Sequence, residues 1–405
     1  MALYYLLVIL VSAFSWRPLF PEVGGEFLTV LRALLLVVTL FIIFRRGIRL
    51  NGFSYLCFVS ILLLTIFMFL QLINLSNVTY SNVNDVILAY SSYLLIFLTL
   101  LIKISKKEVN TLLKILIYLP LISVFGGIVF SFVTEWSFIK NEYTGVFRLQ
   151  GSNPPAHLAE LSFVAVITSV LLIIFKERAQ DLFFTKKNTI LLLINLLIVV
   201  GTFTRITILG VSFIIAFLLL LKIIEAFRKN KFNLLYLSIS AFLIIPIIGV
   251  SVVSFLMLVQ RSSIDGDGIN TSGRYWAWRY FLENALEHPL VGRGMGASNS
   301  LYEVNPHKEF VAPHNEYLRM FLEVGTIGVA VSIIMLLLFV YIFYINAKRV
   351  KVLDFKWVLV ICLSIGIVAY YDNLFVTVHF SMPFTLLLMC LINIIETIKK
   401  GGVSE

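Results

Sequence analysis

The hydrophobic residues of this 405-residue chain are gathered into runs about as long as a bilayer core is thick. A spanning helix needs ~20 apolar residues. Such runs occur at about 2–16, 27–44, 53–73, 86–102, 110–133, 157–175, 188–204, 206–224, 233–258, 316–345, 357–373 and 381–398. With 60% of residues hydrophobic and a mean hydropathy of +0.98, a soluble enzyme carrying a single anchor is excluded. An outer-membrane barrel is disfavoured too, because its strands alternate and give no long apolar runs. The pattern predicts an all-α polytopic membrane protein of about twelve transmembrane helices, growing as one bundle and not as separate soluble domains.

The stretch 188–224 is too long for one span, and Gly201 with Thr202, Thr204 and Arg205 marks the expected turn within it. The first run has no basic residue ahead of it and no small-residue cleavage site, so it reads as a retained helix. Cys57, Cys362 and Cys390 lie inside apolar runs and suggest no disulfide framework.

Lys and Arg in short loops set the expected orientation. Arg45, Arg46 and Arg49, then Lys103, Lys106, Lys107 and Lys114, then Lys176, Arg178, Lys186 and Lys187 fall on alternate loops. So do Lys222, Arg228, Lys229 and Lys231, then Lys348, Arg349, Lys351 and Lys356, and finally Lys399 and Lys400. These loops are read as cytoplasmic, with both termini on that side. The net charge of +10 is mostly this signal, and nucleic-acid binding is not needed to explain it. The expected organisation is residues 1–258 as transmembrane helices one to nine and 259–315 as a large extracytoplasmic loop with an amphipathic helix. Residues 316–405 then supply helices ten to twelve and a short cytoplasmic tail.

The remaining cations fall on the outer side and are mostly Arg: 17, 32, 148, 205, 261, 274, 279, 293 and 319, with Lys140 and Lys308 the exceptions. Topology does not distinguish Arg from Lys, whereas two-pronged binding of phosphate oxygens does. All five His (157, 288, 307, 314 and 379) are on the same side. Chemistry is therefore expected to face away from the cytoplasm.

The loop 259–315 is too long for a mere connection. Its centre, from Gly273 to Gly296, has helical spacing at Tyr275, Trp278, Leu282 and Leu286, and Pro289 ends that helix. We expect the helix to lie near the outer membrane surface with its aromatics at headgroup level. Arg205 stands between two apolar runs with no acidic neighbour in sequence. It can hold an anion in a cavity or reach toward lipid headgroups. Pro313-His314-Asn315 suits a helix start, and Gly325-Thr326-Ile327-Gly328 suits close helix contact. A neutral imidazole at that outer mouth can take a proton from a sugar hydroxyl. A structural helix-start His is the alternative.

The pattern H-N-x9-G-x-x-G, at His314, Asn315, Gly325 and Gly328 after a large loop, resembles the signature of the O-antigen ligase and O-antigen polymerase superfamily. Arg274-x-x-x-Trp278, the stretch His288–Gly296, the Thr204-Arg205 turn and Arg148-Leu149-Gln150-Gly151-Ser152-Asn153-Pro154 look like the same family. The resemblance implies a GT-C-like, metal-independent membrane glycosyltransferase without a cofactor, in the bacterial inner membrane. Its donor would be a glycan on undecaprenyl diphosphate, met on the periplasmic face. Its acceptor would be another glycan or lipid A-core, membrane lipids would surround it, and a chain-length regulator is a further candidate partner. Carried over by position, His314, Arg274 and Arg205 are the catalytic candidates. Arg148, Arg279, Arg293, His157, Asn315 and Tyr317 are candidates for substrate binding. The family commonly has Ser-Arg with small residues after it where this chain has Thr204-Arg205-Ile206-Thr207.

Other signals are weaker. Asp265-Gly-Asp267-Gly lacks the later ligands of a calcium loop and reads as a turn. Glu160 beside His157 is read as a second base, a sugar ligand or a structural hydrogen bond. Asp372, Asn373 and His379 interrupt the last two spans and either line a cavity or make the turn. A polymerase is favoured over a ligase. A lipid-oligosaccharide flippase is a third reading, opposed by charges that gather at one face and not at the midplane.

Overall fold

The computed structural model describes residues 1–48, 50–73, 83–141, 146–176, 186–228, 274–303, 313–350 and 353–401. The ninth apolar run, the Asp265–Asp267 turn, His307 and Lys308 lie outside these residues. Helices α1 (Ala2–Ala13), α2 (Gly24–Arg46), α3 (Gly52–Ile73), α4 (Val83–Leu101) and α5 (Lys106–Val133) come first. A short antiparallel hairpin follows, β1 (Ile139–Asn141) and β2 (Phe147–Leu149), with Lys140 opposite Arg148. Then come α6 (Pro155–Lys176), α7 (Lys186–Gly201) and α8 (Arg205–Arg228). The outer-loop helices are α9 (Arg274–Leu286) and α10 (Ala297–Glu303), and α11 (Glu316–Arg349), α12 (Phe355–Tyr371) and α13 (Val378–Gly401) complete the chain.

Six of these helices are long and apolar enough to cross a membrane, and five shorter apolar helices accompany them among the described residues. The chain is thus an all-α multi-pass membrane protein apart from its small hairpin. The expected turn inside 188–224 is present: α7 stops at Gly201 and α8 starts at Arg205. α6 and α13 are buried on nearly all sides, whereas α3 and α11 leave most of their apolar surface outward. That division is expected of a bundle whose outer helices are solvated by lipid and whose central ones meet only protein.

Two ends of the bundle can be told apart. At one, Arg46 pairs with Glu108 at 2.9 Å, and Asn51 meets Glu396 near the C-terminal end of α13. Ser105 and Glu108 there form a capping box that starts α5. The other end holds the hairpin, the α7–α8 turn, the start of α11 and the α12–α13 connection. α8 and α12 run antiparallel, with Phe217 against Trp357 and, further on, the Ser364 hydroxyl donating to the Gly210 carbonyl at 2.7 Å. Arg205 therefore begins α8 at the end where α12 finishes and Asp372 follows.

α11 is broken at Gly325, whose backbone (φ 63, ψ −174) is not helical. The break is filled by residues 289–294. The N–H groups of Arg293 and Gly294 donate to the carbonyls of Leu322 and Glu323 at 2.8 and 3.0 Å. In return, the N–H groups of Thr326 and Ile327 donate to Pro289 and Leu290 at 2.8 and 3.1 Å. Backbone groups freed by the break are thus paired again, as a lipid setting demands. A Cβ at Gly292 would sit 2.5 Å from the Glu323 carbonyl carbon, and one at Gly325 would sit 2.4 Å from that of Leu290. The Gly-x-x-Gly of α11, expected to serve helix–helix contact, therefore admits a loop at its first glycine.

α9 carries a buried face of its own. Ala277, Phe281 and Ala285 are buried with Leu301 and Leu322, so this helix docks on α10 and α11. Leu282 and Leu286 are its outward apolar residues. The buried stripe is Ala277, Phe281 and Ala285 at four-residue spacing, one aromatic flanked by two alanines.

Candidate active site

The site is built around the residues just before α11. Asn315 is extended (φ −157, ψ 108) and its side chain accepts from the Leu318 N–H at 3.0 Å, which caps the helix. Its own N–H donates to the Asn373 side chain at 3.1 Å. His314 is left-handed, with φ 44, a conformation that costs a non-glycine residue energy. Its Nδ1 lies 3.4 Å from Asp372 Oδ1, and the same oxygen accepts from the Asn373 N–H at 2.9 Å. The His314 side chain is 41% exposed and that of Asp372 13%, so the carboxylate is backed by protein while the ring stays reachable.

The outer-loop helix reaches this point through Trp278, whose indole N–H donates to the Pro313 carbonyl at 2.7 Å. Arg274, the first residue of α9, lies one turn before Trp278. Arg205, at the start of α8, belongs to the same end of the bundle. Beside it, Arg148 on β2 donates to the Thr202 carbonyl at 2.8 Å and to the Thr204 hydroxyl at 3.0 Å. The hairpin thereby braces the turn that presents Arg205. Positions 148, 205, 274 and 314, widely spaced in sequence, are gathered at one end.

The same end of the bundle holds a further polar group, in which His379 and Glu160 are buried and His157 is partly exposed. His157 stacks on His379 with ring centroids 4.4 Å apart, and His379 Nδ1 is 2.7 Å from the Ser12 carbonyl. Glu160 accepts from the Thr377 hydroxyl at 2.8 Å. His157 thus lies at the same end of the bundle as His314, through its stack on His379 near the start of α13. Tyr317 is half-exposed, and its hydroxyl donates to the Gly366 carbonyl at 3.1 Å.

Two arginines expected to bind substrate make contacts within the outer loop. Arg293 is buried; it donates to the Asn284 carbonyl at 2.8 Å and pairs with Glu287, fastening the turn after α9. Arg279 pairs with Glu283 at 2.9 Å on an outward helix face, both side chains well exposed. A third outer cation, Arg319, lies between Glu316 and Glu323 inside the protein. It contacts Glu316, Glu323 Oε2 at 2.6 Å and the Tyr93 hydroxyl at 2.6 Å, while Ser298 donates to Glu323 at 2.6 Å. Three charges at positions 316, 319 and 323 of an apolar run were the available signal for this cluster. Among the described residues, no three His, Cys, Asp or Glu side chains are grouped to hold a metal ion.

The geometry offers a half-exposed imidazole oriented by a carboxylate, with guanidinium groups at the same end of the bundle. Such a set can take a proton from a hydroxyl and receive an anion. Residues 190–333 match the family model described as O-antigen ligase. The match includes Arg205, Arg274, His314 and Gly325, and it supports the resemblance to the O-antigen ligase and polymerase superfamily. No curated protein matches the chain.

Proposed function

We propose that, as a member of that superfamily, this multi-pass membrane protein transfers a glycan from undecaprenyl diphosphate to a sugar hydroxyl. Transfer takes place on the periplasmic face of the bacterial inner membrane. The observation that carries the reading is the His314–Asp372 contact at the end of the bundle where Arg205 begins α8. With Nδ1–H directed at Asp372, His314 keeps Nε2 as the base. The acceptor oxygen attacks the anomeric carbon and its proton passes to Nε2. The bond from that carbon to the diphosphate oxygen breaks with inversion, and the electron pair leaves with the diphosphate. Arg205 and Arg274 meet the growing charge, for which a guanidinium is suited because it can clamp two oxygens. Arg148 positions the Arg205 turn, Asn315 fixes the start of α11 next to His314, and His157 contributes to substrate binding from the same end of the bundle. Arg293 and Arg279 become parts of the loop framework. No metal or cofactor is assigned a step.

Polymerisation of O-antigen, capsule or exopolysaccharide repeat units is preferred to ligation onto lipid A-core, on the likeness of Pro313–Leu318 and His288–Gly296 to polymerases. The test is an assay of the purified protein with a defined undecaprenyl-diphosphate oligosaccharide, with and without a lipid acceptor. Polymer without the lipid acceptor supports a polymerase; transfer only with it supports a ligase. Arg205→Ala, Arg274→Ala and His314→Ala should each abolish product while the protein still inserts. Normal product from all three would refute the assignment.

A further inference from the structure

We propose that Trp278, Tyr317, Tyr370 and Tyr371 form a platform on which pyranose rings of the glycan rest beside His314, an assignment that rests on the glycosyltransferase reading. The four rings come from α9, α11 and α12 and form one contiguous patch. Centroid separations are 5.7 Å for Trp278–Tyr370, 6.1 Å for Trp278–Tyr371, 6.3 Å for Tyr317–Tyr370 and 4.8 Å for Tyr370–Tyr371. A closed aromatic core would hide such rings. Here Tyr317, Tyr370 and Tyr371 are 50%, 45% and 39% exposed.

The patch is tied to the imidazole on two sides. Trp278 is bonded to the carbonyl of Pro313, the residue before His314, and Tyr371 directly precedes Asp372, which touches His314 Nδ1. Tyr317 is held by its hydroxyl on Gly366. The rings are therefore positioned before any ligand arrives, which lowers the entropy lost on binding. Tyr370 and Tyr371 stand at 80° to each other, so they present faces in two directions.

Sugar rings match this surface. A pyranose has a face of C–H groups and an edge of hydroxyls. Aromatic faces carry negative quadrupole density that receives the C–H face, and Tyr and Trp add polar rims. Aromatics at a membrane boundary can also serve as simple depth anchors. Anchors, however, need neither mutual contact nor bonds to the backbone beside a candidate base. A polyprenyl tail would be served better by branched aliphatic side chains than by three phenols and an indole.

The experiment uses the full-length protein in nanodiscs and the oligosaccharide freed by mild acid from the lipid-linked glycan of the producing cells. Saturation transfer from protein aromatic protons to sugar C–H protons reads contact directly and needs no turnover. Wild type should show transfer, and Tyr370→Phe with Tyr371→Phe should keep it. Tyr370→Ala with Tyr371→Ala should lose most of it, with the apparent Kd rising roughly three- to tenfold. Inhibition by polyprenyl diphosphate bearing no sugar should be unchanged in the alanine variant. The platform falls if wild type shows no transfer, if the alanine variant matches wild type, or if the sugar-free lipid weakens in parallel. Ring-dependent contact in a protein that makes no glycosidic bond would keep the platform and remove the glycosyltransferase reading.

Discussion

Two polar clusters five residues apart on the same stretch of chain differ in every physical respect. Around Arg319 the ionic groups are buried and their contacts are close: 2.6 Å to Glu323 and 2.6 Å to Tyr93, with side-chain exposures of 4% for both Arg319 and Glu323. Around His314 the contact is looser, at 3.4 Å, the backbone is left-handed and the ring is reachable. The first cluster joins α11 to α4 and α10; the second faces outward. Charge inside a membrane bundle is costly in either place. The cost offsets a structural need when the partners are close and enclosed, and a chemical one when a group is oriented but left open.

His314→Ala should have the largest effect, reducing glycan transfer by about 10²- to 10⁴-fold. Its thermal unfolding should match wild type; a lower unfolding temperature would make His314 a structural residue like Arg319. Arg319→Ala should instead unfold the protein, by about 3–5 kcal/mol, because two carboxylates lose their counter-charge. Replacing Glu316, Arg319 and Glu323 together by Leu, Met and Leu should restore most of that stability, and a transition that stays low would assign the cluster a role beyond packing. Gly325→Ala comes next at about 1–3 kcal/mol, from a backbone region that is nearly glycine-only. Protease protection of the 289–294 segment should fall with it. The smallest effect belongs to Arg279→Ala, at most about 0.5 kcal/mol for an exposed i,i+4 pair. A large loss of transfer there would return Arg279 to the substrate site.

Much of the architecture was legible because apolar length and caps are local signals. The turn at Thr202–Thr204 and the Asn315 cap were both readable from neighbouring residues. What was illegible is non-local. Nothing near Gly325 announces that residues 289–294 will pair with an interrupted helix, and nothing near His314 names Asp372 as its neighbour. The charge of Arg293 is visible in the sequence, whereas its contacts with Asn284 and Glu287 depend on how the turn closes. Glu316, Arg319 and Glu323 were readable by spacing alone.

The broken α11 bears on how such a protein can be re-engineered. Because the loop supplies the missing partners of the helix, and the helix those of the loop, neither is a separable module. A chimera that imports an outer loop to change sugar preference will have to import the upper half of the following span with it, cutting below residue 327 instead of at the apparent membrane boundary.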